Sequence, residues 1–214
     1  MEELCYNIYK LTERIEGKVM GRIFYIMGKS ASGKDHIYED LLRNEELKLK
    51  PLVLYTTRPI RSGETDGQTY YFTNEQHLAE LREAGKIIEE RCYQTVQGPW
   101  YYFTADEGQF ASEEDFLGIG TLESYKDLRA YFGKKKLVPL YIEVEDGLRL
   151  KRAIQREEKQ EVPKYKELCR RFLADCEDFS EEKILEQEID ERICNNGTLE
   201  ECLEKVVGVI TRNK

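Results

Sequence analysis

One uninterrupted passage, RIFYIMGKSASGKDHIY (residues 22–38), constrains this 214-residue chain more than any other. RIFYIM is a short apolar, β-rich run ending at Gly28, and it reads as a buried strand. GKSASGK (28–34) meets the phosphate-loop template G-x-x-x-x-G-K, and beyond Lys34 the pattern turns helical through Leu41 and Leu42. Strand, glycine loop and helix in that order make a turn whose successive main-chain N–H groups point inward at the positive end of a helix. Glycine is needed because a Cβ would block the phosphates or forbid the dihedrals. Lys34 adds a full charge for the β- and γ-phosphates. A plain turn has no need of this arrangement. The template closes with Ser or Thr, whose hydroxyl ligates Mg²⁺, whereas this chain has Asp35. A carboxylate is electrostatically comfortable in a first helical turn whatever its function, and its oxygen also suits magnesium. Stricter metal dependence, rather than loss of chemistry, is the expectation.

Around this passage, apolar runs alternate with helical patterns as in a parallel α/β sheet. LVLYTT (52–57), TYYFT (69–73), FLGIGT (116–121), LVPLYIEVE (137–145) and ERICNN (191–196) read as strands, and KIIEERCYQTV (86–96) as extended chain before a Gly-Pro break. Helices are expected at 74–86, between 121 and 137, at 147–159, at 165–178 and over TLEECLEKVVGVI. EVPKY interrupts the charged pair. Leu4, Ile8, Leu11 and Ile15 give residues 1–21 an amphipathic N-terminal helix that packs on the core or pairs two subunits into a homo-oligomer.

The balance of 33 basic against 42 acidic residues leaves a net charge of -9, which opposes a long nucleic acid and restricts anion capture to local arginine clusters. The six cysteines include no C-x-x-C pair, so they read as free, buried thiols. No apolar run is long enough to span a bilayer and no leader opens the chain, so no membrane partner and a cytoplasmic location are expected.

YTTRPIRSGETDGQTYYF (55–72) supplies a second anion site. Arg58 and Arg61, three apart across a stiffening proline, can present planar forks to one phosphate, with Tyr70 completing the cage. This segment closely resembles the acceptor-binding motif of guanylate kinases, T-T-R-x-x-R-x-G-E-x-x-G-x-x-Y-x-F, and meets every fixed letter of it. The resemblance implies that Arg58, Arg61 and Tyr70 hold the phosphate of GMP. It extends more loosely to GKIIEE, where Glu89 matches the guanine-reading glutamate, and to WYYFT, where Tyr102 and Thr104 match acceptor-binding positions. LRLKRAIQRE and CRRF are similar to the arginine-bearing lid, giving Arg152, Arg156 and Arg171, and DERICNNGTLEE places Asn195 by the adenine.

The implied fold is α/β: a three-layer P-loop kinase core with a parallel sheet (22–53, 111–147, 173–214), an inserted acceptor-binding lobe (54–110) and a helical lid (148–172). The implied activity is transfer from ATP, with Mg²⁺, to a nucleoside monophosphate, GMP to GDP. ATP-side residues would be Gly28, Ser30, Ala31, Ser32, Gly33, Lys34, Asp35, His36 and Asn195, with Asp35 toward the metal. Lys34, Arg58, Arg152, Arg156 and Arg171 would carry the catalysis. Departures from the family pattern gather at the base: Leu54 stands where many members have serine, Gly118 and Gly120 where they have D-x-D, and TVQGPW (95–100) lengthens the chain before Tyr102. These departures keep open a different phosphorylated acceptor. A silent phosphopeptide-binding module is the other alternative, and the intact Lys34 loop argues against it.

Overall fold

The computed structural model describes residues 21–214. The expected N-terminal helix, with its proposed role in assembly, lies outside the described residues. Five parallel strands form the central sheet in the order β2-β7-β1-β8-β9: β1 (Ile23–Met27), β2 (Lys50–Pro51), β7 (Phe116–Gly120), β8 (Leu137–Glu143) and β9 (Arg192–Cys194). Every residue of β1 is buried because helices cover both faces of the sheet. Ile23, Tyr25 and Met27 pack on one face, against Leu122, Tyr125, Leu128 and Phe132 of α3 (Leu122–Phe132) and Ile184 of α6 (Glu181–Glu186). Phe24 and Ile26 pack on the other, against Ile37 and Leu41 of α1 (Lys34–Arg43) and the apolar stripe Cys202, Val206, Val209 and Ile210 of α7 (Leu199–Arg212). The result is the expected three-layer α/β core.

A second, four-stranded sheet, ordered β4-β3-β6-β5, comprises β3 (Tyr55–Thr56), β4 (Tyr71–Phe72), β5 (Ile87–Thr95) and β6 (Gly98–Ala105). With α2 (Glu75–Glu83) it encloses a small core of its own: Tyr55, Leu78, Leu81, Phe103 and Ala105. Helices α4 (Asp146–Glu158) and α5 (Tyr165–Asp178) follow β8, separated where EVPKY interrupts them.

Three expectations need correction. LVLYTT is not one strand: the amide of Leu52 donates to the carbonyl of Leu117 in the central sheet at 2.8 Å, while the carbonyl of Leu54 accepts from Tyr71 of the second sheet at 2.8 Å. The chain changes sheets across Val53, so hydrogen-bonding partners on opposite sides divide a continuous apolar run. TVQGPW does break the extended chain, but at Val96-Gln97 and not at Gly98-Pro99, which is already strand. Its Val96-Gln97 pair turns a long hairpin in which Thr95 lies opposite Gly98 and Gln94 opposite Pro99. The cysteines of the described region are free as expected, but only Cys202 is buried, because Cys92, Cys169 and Cys194 fall on the outward positions of their elements.

Candidate active site

The loop after β1 is shaped by backbone. Gly33 caps α1 with φ +88, a left-handed conformation that costs an L-residue strain, and a Cβ there would lie 2.7 Å from Nδ2 of Asn195. No side chain caps the helix, so its first N–H groups stay open to an anion. At Gly28 a Cβ would lie 2.5 Å from the carbonyl oxygen of Ile142, which holds the loop tightly over β8. Asn195 donates from Nδ2 to the carbonyl of Ser32 at 2.8 Å, pinning the loop to the end of β9. Two buried polar atoms beside it, Ser32 Oγ and Asn195 Oδ1, have no hydrogen-bond partner. Buried polar atoms are rarely left so, and an orphaned pair beside an open helix N-terminus fits a polar ligand. A cavity of about 260 Å³ is lined there by Ala31, Gly33, Asp35, His36 and Asn195, together with the lid arginines Arg152 and Arg156. Ser30 is turned differently, its amide donating to Asp175 of α5 at 2.9 Å. Arg171 is not brought in: it faces solvent on α5, 3.6 Å from Glu167.

A larger cavity of about 760 Å³ lies between the loop and the second sheet. Lys34 and Asp35 of the loop and Tyr70 and Tyr102 of the acceptor motif all line it, whereas Arg58 and Arg61 do not. Asp35, with its carboxylate 3.7 Å from Lys34 Nζ, lines both cavities. Among the described residues no cluster of three or more acidic, His or Cys side chains could hold a metal unaided. One exposed carboxylate beside a phosphate site is nonetheless the donor set that suits Mg²⁺, which keeps several waters and is shared with substrate phosphates.

Arg58 is buried and clamped. Its NH1 and NH2 donate to Glu64 at 2.7 and 2.5 Å, NH1 also donates to the carbonyl of Pro59 at 2.9 Å, and its guanidinium lies 5.0 Å from the ring centre of Tyr70. Those bonds hold the Glu64 carboxyl down at about 2. Glu64 also accepts from the amide of Arg61 at 2.8 Å, which explains the R-x-x-R-x-G-E spacing physically: one carboxylate orients the first arginine and closes the turn that carries the second. Arg61 itself is exposed, 5.9 Å from the Trp100 ring.

At the base end the departures acquire a shape. Gly118 and Gly120 sit opposite Tyr25 and Met27 on the neighbouring strand, and the Tyr25 side chain fills the volume their side chains would need: a Cβ on Gly118 would come 2.6 Å from the Tyr25 ring. The Tyr25 hydroxyl is tied to Ser124 Oγ at 2.7 Å, and burial pushes its pKa up. Glu89 is buried beneath Arg91: it accepts from Thr104 Oγ1 at 2.9 Å and from Arg91 Nε at 3.1 Å. Burial pushes its carboxyl up, while Arg91 and Thr104 pull the other way. Arg91, not Glu89, lines the large cavity, with Tyr93, Thr95 and Trp100, whereas Gln94 and Gln97 do not reach it.

Reading the sequence for motifs passed over Arg91, Tyr93 and Tyr38, which all line this cavity. Strand alternation carried the signal for the first two: once Glu89 faces the site, Arg91, Tyr93 and Thr95 follow on the same face of β5. The Arg149-Asp175 pair, 3.1 Å apart and linking α4 to α5 beside Ser30, had no comparable local signature.

The guanylate kinase family model matches residues 20–212. A guanylate kinase of Malacoplasma penetrans is 29% identical over 156 residues, 71% of this chain and 68% of that protein. One from Aliivibrio fischeri is 35% identical over 82 residues, 38% of each chain, so the match spans well under two thirds of that relative's length. A crystal structure of guanylate kinase from Anaplasma phagocytophilum superposes with a TM-score of 0.56 at 22% identity, covering 91% of this chain and 87% of that one, which establishes the shared fold. With its phosphate loop, its Arg58-Glu64 clamp and a family match running nearly from end to end, the chain belongs to the guanylate kinase family.

Proposed function

We propose that the protein transfers the γ-phosphoryl group of ATP to the phosphate of GMP, giving ADP and GDP. The observation that carries this reading is the single cavity shared by Lys34, at the open N-terminus of α1, and by Tyr70 and Tyr102, beside the clamped Arg58. A phosphate-loop lysine and acceptor-motif tyrosines that open on one space would allow a phosphoryl group to pass directly between the two sites.

An oxygen of the acceptor phosphate attacks the γ-phosphorus as the bond to the β,γ-bridging oxygen breaks, and the electron pair leaves with ADP. The nucleophile is already ionised, so the protein needs no strong general base. Its contribution is alignment and charge. Arg58, oriented by Glu64, joins Arg61, Tyr70 and Tyr102 in fixing the acceptor phosphate. Ala31, Ser32, Gly33 and Lys34 receive the donor phosphates on main-chain N–H groups and the ammonium. Gly28, packed over β8, Ser30 and His36 frame that pocket, and Asn195, with one amide oxygen free, lies where the adenine would sit. Arg152 and Arg156 neutralise charge spreading over the transferred group, and Arg171 joins them only if the lid closes and Glu167 releases it. Mg²⁺ bound with the triphosphate would supply Lewis-acid neutralisation, and Asp35 is the carboxylate that would hold it, directly or through water. Among the described residues no helix is long and apolar enough to cross a membrane.

The test is ADP release with ATP and Mg²⁺ across a panel of nucleoside monophosphates. Turnover of GMP is expected, and inertness toward GMP alongside turnover of another monophosphate would replace the acceptor. A titration of Mg²⁺ against Asp35→Ala tests the metal's neighbour, because full activity of the variant at low Mg²⁺ would remove Asp35 from that role.

A further inference from the structure

The base end of the large cavity contains a residue for which the motif comparison has no place. Arg91 lines the cavity with its side chain 14% exposed, while the Glu89 behind it is 1% exposed and is not part of the wall. Each Glu89 oxygen already accepts a hydrogen bond within the protein, one from Thr104 and one from Arg91 Nε. The terminal nitrogens of Arg91, by contrast, donate to no side chain or carbonyl among the described residues. Gln68, Thr69 and Tyr93 also line the cavity, but they are uncharged, and the positions that the resemblance assigns to base reading offer little here. Leu54 is apolar, Gly120 has no side chain, and the Tyr25 hydroxyl beside it is committed to Ser124. Asp35, at the phosphate end, is the one carboxylate among the cavity's lining residues.

We propose that Arg91 reads the acceptor's base, donating from its two terminal nitrogens to a pair of neighbouring acceptors, and that Glu89 positions Arg91 instead of touching the base. This rests on the proposed transfer to a purine monophosphate. A planar guanidinium matches the O6/N7 edge of a 6-oxopurine, whereas adenine offers an amino donor at position 6 that would face donors. The 2-amino and N1–H donors of guanine find no free carboxylate at this end. With no carboxylate to accept from it, the 2-amino group adds little, and the pocket selects 6-oxopurines as a class. GMP and IMP are both acceptors, and AMP is disfavoured.

Calorimetric binding of GMP, IMP, AMP and 7-deaza-GMP to the full chain without ATP tests the inference, followed by ADP release with the same four. IMP is expected to bind within about 10-fold of GMP, while AMP and 7-deaza-GMP, which disturb the O6/N7 pair, bind about 10- to 100-fold more weakly. Arg91→Gln, whose amide suits the N6/N7 edge of adenine, is expected to shrink or invert the GMP-to-AMP ratio. Should that variant not fold, Arg91→Lys keeps a cation beside Glu89 but loses the parallel fork, and the penalty for 7-deaza-GMP should shrink. A merely structural role would weaken all four ligands together and leave the ratios alone. The proposal is overturned if the wild type prefers GMP to IMP by more than about 100-fold, well beyond the single pair at issue, or if the ratios survive the folded variant. Expected binding ratios without ADP release would remove the transfer reaction and leave the base reading standing. Turnover of GMP with exclusion of IMP would do the reverse.

Discussion

The two proposed anion pockets beside the central cavity are made of different material. On the donor side the binding groups are main-chain amides, fixed because β1 is buried on both faces and because Gly33 and Gly28 press against Asn195 and β8. On the proposed acceptor side they are side chains, Tyr102 on β6 and Arg58, Arg61 and Tyr70 on the connection between β3 and β4, beside a core of five buried residues. An amide cradle has one geometry and tolerates many side chains around it. A side-chain cradle can be retuned one residue at a time. That contrast fits the departures that the resemblance marks: one letter in the phosphate loop, Asp35, against Leu54, Gly118 and Gly120 around the proposed base site.

The largest effect expected from this contrast is at Lys34, the ammonium that would complete the amide cradle of the donor pocket. Lys34→Ala should lower kcat by about 10²–10³-fold with an unchanged melting temperature, the scale seen when one preorganised donor to a developing charge is removed. A loss below about tenfold would mean that the amides suffice alone. Next comes Arg58→Lys, which keeps the charge and loses the fork. The KM for the acceptor should rise about 10- to 100-fold, consistent with the strength of hydrogen bonds to charged groups, while the KM for ATP stays constant. Equal rises in both constants would break the separation between the pockets.

A smaller effect belongs to Gly33→Ala. The left-handed φ and the approach to Asn195 should cost about 1–2 kcal/mol, read as a lower melting temperature and weaker ATP binding with GMP binding retained. The smallest concerns acid. Arg58 holds Glu64 at about 2, below its ordinary value of 4.5, so the folded state binds that proton less readily than the unfolded chain does. The stabilisation is therefore complete above about pH 4.5 and is lost as the pH falls toward about 2. Melting curves across that window should fall more steeply for the wild type than for Glu64→Gln, and parallel curves would show that the clamp adds nothing to stability.

Much of this was legible in the sequence wherever the relevant residues are neighbours. The loop from Gly28 to Lys34, the R-x-x-R-x-G-E turn and the strand-helix alternation of the core are all contiguous patterns, and the structure folds them as read. LVLYTT misled because an apolar run records burial and not which sheet buries it. TVQGPW misled because Gly-Pro marks a break as readily as the start of a returning strand, and only the pairing of Thr95 with Gly98 decides between them. Glu89 was legible only as a family-matching position, and it does not line the cavity. Its concealment under Arg91 was not, although the two lie only two positions apart, because alternation puts both on one face without saying which lies in front.

What the sequence determined by itself was the chemistry of the two phosphate sites, since each is written in one continuous segment whose spacing fixes its own local geometry. Tertiary structure alone decided what surrounds the base: Tyr25 reaching Ser124 across 99 positions to occupy the space beside Gly118 and Gly120, and Arg91 placed between Glu89 and the cavity. The physical reason is that a hydrogen-bonding group is spent or free according to its neighbours in space. The partners that spend Tyr25, and the walls that leave the end of Arg91 free, come from strands and helices far apart along the chain.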